Sequence, residues 1–112
     1  MPDETASTIE LTHHVDAGLR AFDGHFPGRP VMPGAYLLAV VLHEIEQRTP
    51  LASRLGAAPQ VQQVKFLAPV GPGRTLRIRL QAQPQGVAFT VHDGATLVAR
   101  GQLAAASQAG PA

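Results

Sequence analysis

A continuous apolar run in the first half of the chain is its strongest secondary-structure signal. Tyr36–Leu42 is apolar on every side, and the polar stretch His43–Arg48 follows directly. Periodicity alone does not separate a buried strand from a buried helix in such a run. The length from Gly34 to Thr49, the Ala and Leu content, and Pro50 as a terminator favour a helix over that range.

Alternating apolar and polar positions predict strands on both sides of this helix. In the clearest case, Leu76–Gln83, every second residue is apolar, and Asp93-Gly94 is a hairpin signal further on. Gly18–Phe22 is interpreted as a short helical turn or a bridge. A buried helix followed by antiparallel strands predicts an α+β domain, with a curved sheet around a central helix. The predicted strands are Ser7–His13, Val61–Leu67, Leu76–Gln83, Val87–His92 and Ala95–Leu103.

The composition fits one folded domain over residues 1–112, with frayed tails at 1–6 and 104–112. Hydrophobic residues make up 45% of the chain and charged residues 15%, which is too apolar for a disordered protein. A net charge of +1 and an aromatic content of 4% give no indication of a nucleic acid partner. The absence of Cys excludes a disulfide framework, a Cys-ligated zinc site and a thiol nucleophile.

Two segments bear on where the protein resides. Met1–Thr8 is acidic and polar and has no apolar segment of the kind found in a secretory signal. The longest apolar run, Ala35–Leu42, is too short to span a bilayer. We therefore expect a cytoplasmic domain with no membrane partner.

Proline and glycine are concentrated in two places. Gly24–Gly34 holds three residues of each type, and Pro69–Gly73 holds two of each. Within a domain of this size, such backbone constraint indicates a turn or a site rather than a linker. The first of these stretches runs directly into the predicted helix, so it is the place to look for chemistry.

The same stretch resembles the signature of hotdog-fold 3-hydroxyacyl-acyl-carrier-protein dehydratases. Phe22–Gly34 reads Phe-Asp-Gly-His-Phe-Pro-Gly-Arg-Pro-Val-Met-Pro-Gly, and the family carries His-Phe-Pro-Gly-x-Pro-x-x-Pro-Gly at the mouth of its helix. Val64–Gly73 is similar to the family's strand-turn-strand element, so the resemblance covers about Leu11–Leu103. The short form is also similar to the small dehydratase-like proteins of aryl polyene pigment pathways.

The resemblance implies a dimer in which each site is built from both chains. It implies a hydro-lyase that dehydrates (3R)-3-hydroxyacyl thioesters on an acyl carrier protein, in fatty acid, polyketide or polyene synthesis. It implies no cofactor. Arg20 and Arg29 are candidates to meet the phosphate of the carrier's phosphopantetheine arm, although solvated side chains are the simpler interpretation.

Dehydration requires a base at carbon 2 and hydrogen-bond donors at the thioester oxygen. His has a pKa near 7 without help, and the resemblance places His25 at carbon 2. Gly34 begins the predicted helix, where the amides of Gly34 and Ala35 are free donors at the positive end of the helix dipole. The residues assigned to substrate binding are Phe26, Gly28, Gly34, Ala35, Tyr36 and Ala39.

The chain departs from the family at the general acid. The family places Glu or Asp five positions after the Pro-Gly glycine, and this chain has Ala39 there. A positioned acid is typically worth about 10²–10⁴ in rate, so we expect a homodimer to be slow unless another group substitutes. His43, one helical turn beyond Ala39 on the same face, is the candidate substitute, and Tyr36 lies one turn before. Glu44 is rotated off this face and is expected to be solvated.

Three functions remain open. The first is a dehydratase in which His25 is the base and His43 or another group is the acid. The second is a catalytically impaired subunit that lends His25 to a partner hotdog chain carrying the helix carboxylate. The third is an acyl thioesterase on the same fold. A metal site is not expected, because adjacent His13 and His14 point to opposite faces of a strand.

Overall fold

Five strands and two short helices form the part of the chain that the computed structural model describes, which is residues 8–16, 18, 33–56, 59–84 and 86–105. In chain order the elements are β1 (Thr8–His14), α1 (Gly34–Glu46), α2 (Thr49–Leu55), β2 (Gln60–Phe66), β3 (Thr75–Gln83), β4 (Gly86–Asp93) and β5 (Thr96–Ala104). The two tails expected to fray fall largely outside the described residues, but Ala104 belongs to β5.

The five strands form one sheet in the order β1-β3-β4-β5-β2, and each neighbouring pair is antiparallel. Strands β3, β4 and β5 make a meander, in which Gly94 takes a positive φ of 62° in the predicted hairpin turn. Strand β2 returns to pair with β5, and the register of that pair shifts between Val61 and Gln63. β1 and β2 are therefore the two edges of the sheet.

The core lies between one face of the sheet and one side of α1. Leu76, Ile78 and Leu80 alternate along β3 and are fully buried. On α1 the buried residues Leu37, Val41 and Ile45 recur every fourth position, which places them on one side of the helix. The predicted α+β fold, with one helix against a curved antiparallel sheet, is confirmed.

The helix ends earlier than predicted, and a second helix follows it. We predicted one helix from Gly34 to Thr49 with Pro50 as its terminator, but α1 ends at Glu46 and Arg48 is extended. Pro50 then lies in the first turn of α2. A backbone N–H at this position would have no acceptor within the helix, so the missing N–H of proline removes no hydrogen bond. Leu51 and Leu55 of α2 are buried, which explains why this short helix forms.

The sheet does not enclose α1 on every side. Ala35, Tyr36, Ala39 and His43 are exposed, and the exposed fraction of Tyr36 is 36%. One sheet covers one side of this helix, so the opposite side stays open in the single chain. Among the described helices, none has the length and apolar character needed to cross a membrane.

An ion pair joins the start of β3 to the end of β4, at the end of this hairpin opposite its turn. Arg74 precedes β3 and donates two hydrogen bonds to Asp93 at the end of β4, from Nε at 2.9 Å and from Nη2 at 2.7 Å. The paired guanidinium holds the pKa of the Asp93 carboxyl below its ordinary value. The carboxylate in turn raises the pKa of Arg74.

Candidate active site

The N-terminus of α1 presents two backbone donors that no described residue accepts from. Pro33 is the N-cap residue and is extended, with φ −63° and ψ 142°, and its carbonyl accepts bonds from the amides of Tyr36 and Leu37 at 3.0 and 3.2 Å. The amides of Gly34 and Ala35 have no acceptor within the described residues. No acidic side chain lies in the first turn. Within the described residues, the helix dipole therefore adds to two N–H groups that lack an acceptor, an arrangement that favours a negatively charged group.

Phe66, at the end of edge strand β2, lies against this helix end. A β-carbon built on Gly34 would stand 2.8 Å from Cε2 of the Phe66 ring, which is closer than real β-carbons approach. Only glycine fits at this position without movement of the ring. Phe66 is itself 46% exposed, so this contact leaves much of its side chain uncovered.

Sequence reasoning did not assign Phe66 to the site. The residue lies within the second family-like segment, Val64–Gly73, and that was the signal available. Its approach to Gly34 depends on β2 returning to the far edge of the sheet, which no local pattern specifies.

The candidate substitute for the missing acid lies on the same side of α1 as Ala39. Tyr36, Ala39 and His43 are spaced three and four residues apart, and all three are exposed. The Nε2 atom of His43 is 3.5 Å from Nε2 of Gln47, a contact that holds the imidazole only weakly. This open side of α1 combines a methyl group where the family has a carboxylate with an imidazole one turn away.

Glu44 points away from this open side, as predicted, but it is not solvated. Arg48 donates from Nη1 to the backbone oxygen of Glu44 at 2.6 Å and to its carboxylate Oε1 at 3.1 Å. The other carboxylate oxygen, Oε2, is 4.0 Å from Nδ1 of His13, and the Glu44 side chain is 20% exposed. This carboxylate therefore belongs to a contact between α1 and β1, which corrects the expectation of a solvated group.

The two adjacent histidines face opposite sides of β1. His13 turns toward Glu44, whereas Nδ1 of His14 is 3.1 Å from the hydroxyl of Thr75 on β3. Among the described residues, no group of three or more His, Asp or Glu side chains is arranged to hold a metal ion.

The remaining predicted site residues lie outside the described residues. They are His25, Phe26 and Gly28 of the family-like motif, together with Arg20 and Arg29. Gly34, Ala35, Tyr36, Ala39 and His43 are thus the predicted site residues whose positions the structure gives.

Comparison with known proteins identifies relatives over most of the chain. The family model described as ApeI-like, ApeI dehydratase, matches residues 2–102. The 3-hydroxyacyl-[acyl-carrier-protein] dehydratase FabZ of a Wolbachia strain from Drosophila simulans is 33% identical over an alignment of 93 residues that covers 80% of this chain and 64% of that protein. FabZ of Herpetosiphon aurantiacus is 37% identical over an alignment of 92 residues that covers 73% of this chain and 64% of that protein. The chain thus spans less than two thirds of the length of these relatives.

A solved structure agrees with the sequence relatives. The dehydratase heterocomplex ApeI:P from Xenorhabdus doucetiae contains a chain that superposes with a TM-score of 0.74 at 25% identity. The superposition covers 88% of this chain and 86% of that one. With its helix against a five-stranded antiparallel sheet, this chain is a hotdog-fold protein that belongs to the ApeI-like dehydratase family.

Proposed function

We propose that this protein is a (3R)-3-hydroxyacyl-[acyl-carrier-protein] dehydratase-type subunit that acts on carrier-bound acyl thioesters. The observation that carries the proposal is the pair of amides at Gly34 and Ala35, which begin α1, have no acceptor within the described residues and supply the kind of donor that a developing oxyanion requires. Membership of a dehydratase family supplies the reaction class.

The reaction we propose has three parts. His25 removes the proton from carbon 2 of the 3-hydroxyacyl thioester, and the electron pair moves toward the thioester oxygen. The amides of Gly34 and Ala35 donate hydrogen bonds to that oxygen as negative charge develops on it. The bond between carbon 3 and the hydroxyl oxygen then breaks, and the hydroxyl takes a proton from a general acid and leaves as water, giving the 2-enoyl thioester.

The general acid is the component that this chain lacks at the expected place. Ala39 carries only a methyl group, and the loss of a positioned acid costs about 10²–10⁴ in rate, or roughly 3–5 kcal/mol of barrier. His43 is the candidate acid among the described residues on the same exposed side, which also carries Tyr36. A homodimer that relies on His43 is therefore one way to complete the site.

A second hotdog chain with a helix carboxylate is the other way, and we favour it. The open side of α1 and edge strand β2 both offer surface for a partner, since Val61, Phe66 and Leu67 are 45%, 46% and 52% exposed. Edge-to-edge pairing along β2 would join two sheets into one and bring a partner's helix toward this site. The structural relative from Xenorhabdus doucetiae is itself a dehydratase heterocomplex.

The experiment that tests the proposal is a dehydration assay on a 3-hydroxyacyl thioester. The protein is assayed alone and mixed with a hotdog chain that retains the helix carboxylate, and the enoyl product is followed by mass spectrometry. We expect slow turnover alone and faster turnover in the mixture, with both rates abolished by His25→Ala. A mixture that gives no His25-dependent rate would contradict the proposed function.

A further inference from the structure

The exposed apolar side chains of the sheet are concentrated at edge strand β2. Among the described residues, three of the four large hydrophobic side chains that are exposed lie on β2 or directly after it, and they are Val61, Phe66 and Leu67. None of the four lies on β1, the other edge strand. Pairing along β2 therefore covers apolar side chains that stay exposed in the single chain, which makes β2 the edge where a second sheet would join this one.

Two cations meet on the outward face of this edge, the face of the sheet away from α1. Phe66 contacts α1, so the preceding residue of the strand, Lys65, points outward. Lys65 lies directly opposite Arg100 of β5, and like charges in such a pair destabilise a sheet. Both side chains are exposed, and neither has an ion pair within the described residues. A carboxylate on the open side of Lys65 would offset this repulsion.

A second copy of this chain has no carboxylate to place there. The sequence contains no Asp or Glu between Glu46 and Asp93, and β2 reads Gln-Val-Gln-Gln-Val-Lys-Phe. In every antiparallel register of β2 against its own copy, Lys65 therefore meets an uncharged residue or Lys65 of the copy. Two registers that keep outward residues opposite outward residues place the two Lys65 side chains directly opposite or diagonal to each other, within about 8 Å. A homodimer joined along β2 thus adds to the repulsion at this edge.

We propose that Lys65 selects the partner at edge strand β2. It favours a different hotdog chain whose edge strand carries Asp or Glu on the outward face beside Lys65, and it disfavours a second copy of this chain. The inference rests on the proposed function, in which a second hotdog chain supplies the helix carboxylate.

Attraction and discrimination come from different side chains of the same edge. The apolar residues Val61, Phe66 and Leu67 favour contact with any sheet of complementary shape, and they do not distinguish one partner from another. The charge of Lys65 does distinguish partners, because it repels one edge strand and attracts another. An exposed ion pair adds little total affinity, but exchanging repulsion for attraction changes the ratio of two competing dimers.

A charge-reversed copy of this chain tests the selection, because Lys65→Glu presents the carboxylate that the proposed partner would carry. Wild type and Lys65→Glu, one of them labelled with ¹⁵N, are mixed until the dimer distribution is constant, and the three possible dimers are counted by native mass spectrometry. We expect the mixed dimer to be favoured about threefold over the mean of the two homodimers, so that it makes up about three quarters of all dimers instead of the statistical half. The excess should shrink at high ammonium acetate concentration, because salt screens exposed charges.

Two further variants serve as controls, with the melting temperature of each protein as the check on folding. Arg79→Glu makes the same change of charge on an exposed residue of β3, which β4 and β5 separate from β2. Mixed with wild type, it should give the statistical half. Lys65→Gln removes the charge without reversing it, so its mixture with wild type should show a smaller excess than that of Lys65→Glu.

Three outcomes would overturn selection by Lys65. They are a statistical mixture of wild type and Lys65→Glu, an equal excess with Arg79→Glu, and the absence of dimers from every mixture. Dimer masses are independent of turnover, so the result is separate from the assay of the proposed function. A statistical mixture beside a His25-dependent rate would refute the selection alone, whereas an excess of the mixed dimer without any His25-dependent rate in the dehydration assay would contradict the proposed function alone.

Discussion

The Phe66 ring lies directly over the α-carbon of Gly34, and it leaves no room for a side chain there, since a β-carbon would come within 2.8 Å of ring atom Cε2. Two segments that are distant in sequence, the end of β2 and the start of α1, thereby fix each other's position. An aromatic side chain thus packs against the helix terminus that carries the Gly34 amide.

Gly34→Ala should therefore destabilise the protein only while the Phe66 ring is present. Overpacking of this kind costs about 1–3 kcal/mol, whereas Ala is a better helix former than Gly by up to about 1 kcal/mol. In a Phe66→Ala background the same substitution should be neutral or stabilising. Chemical denaturation of the four proteins in this double-mutant cycle measures the change of sign, and equal effects in both backgrounds would mean that the ring is not the obstacle.

Ala39→Glu should raise dehydratase activity by one to several orders of magnitude. The substitution restores a carboxylate on the open side of α1, where the family has its general acid. Because Ala39 is exposed in the single chain, the new side chain should cost little stability before a partner covers it. Steady-state rates with a 3-hydroxyacyl thioester check this, and an Ala39→Gln variant, which is nearly isosteric but cannot donate a carboxyl proton, should gain nothing.

His43→Ala distinguishes the two ways of supplying a proton. If His43 is the acid of a homodimer, its removal should reduce the rate of the homodimer about 10²-fold or more, while Ala39→Glu should add little. We favour the mixed dimer, so we expect His43→Ala to change the rate of the mixture by less than about threefold. A large loss in the mixture would move the assignment of the acid to His43.

The Arg74–Asp93 pair should give the protein an acid-sensitive component of stability. The pKa of Asp93 is lowered in the folded state by hydrogen bonds from Arg74. Its stabilising contribution is therefore present above the ordinary Asp pKa of about 3.9 and is lost as the pH falls through the lower folded-state value. The difference in unfolding free energy between wild type and Asp93→Asn should shrink over that acidic range. If this difference in unfolding free energy does not change with pH, protonation of Asp93 is not coupled to folding.

Strand β3 was predictable to within one residue because its alternation of buried and exposed positions is regular. The predicted Leu76–Gln83 and the observed β3, Thr75–Gln83, differ by one residue, since the buried face of β3 has no polar interruption. The break between α1 and α2 was not predictable from Pro50, because proline fits the first turn of a new helix as well as the end of an old one. The extended backbone at Arg48 separates α1 from α2.

The candidate site was predictable where it depends on local sequence. Gly34 and its free amide follow from the Pro-Gly pair at a helix start, and the shared side of Ala39 and His43 follows from helical spacing. The contact of Phe66 with Gly34 and the approach of His13 to Glu44 were not predictable, because each joins elements that meet only after the chain has folded. His25 stays a prediction from the motif.

The register shift between Val61 and Gln63 has a consequence for assembly. A bulge fixes where β2 sits on β5, and a slip by one residue would press the Lys65 ammonium against the helix terminus and turn the Phe66 ring into water. Pairing of β2 with β5 in a shifted register would therefore cost stability, because it would bury a charge and expose an aromatic ring. Fidelity of partner choice would then begin with the alignment of one edge strand.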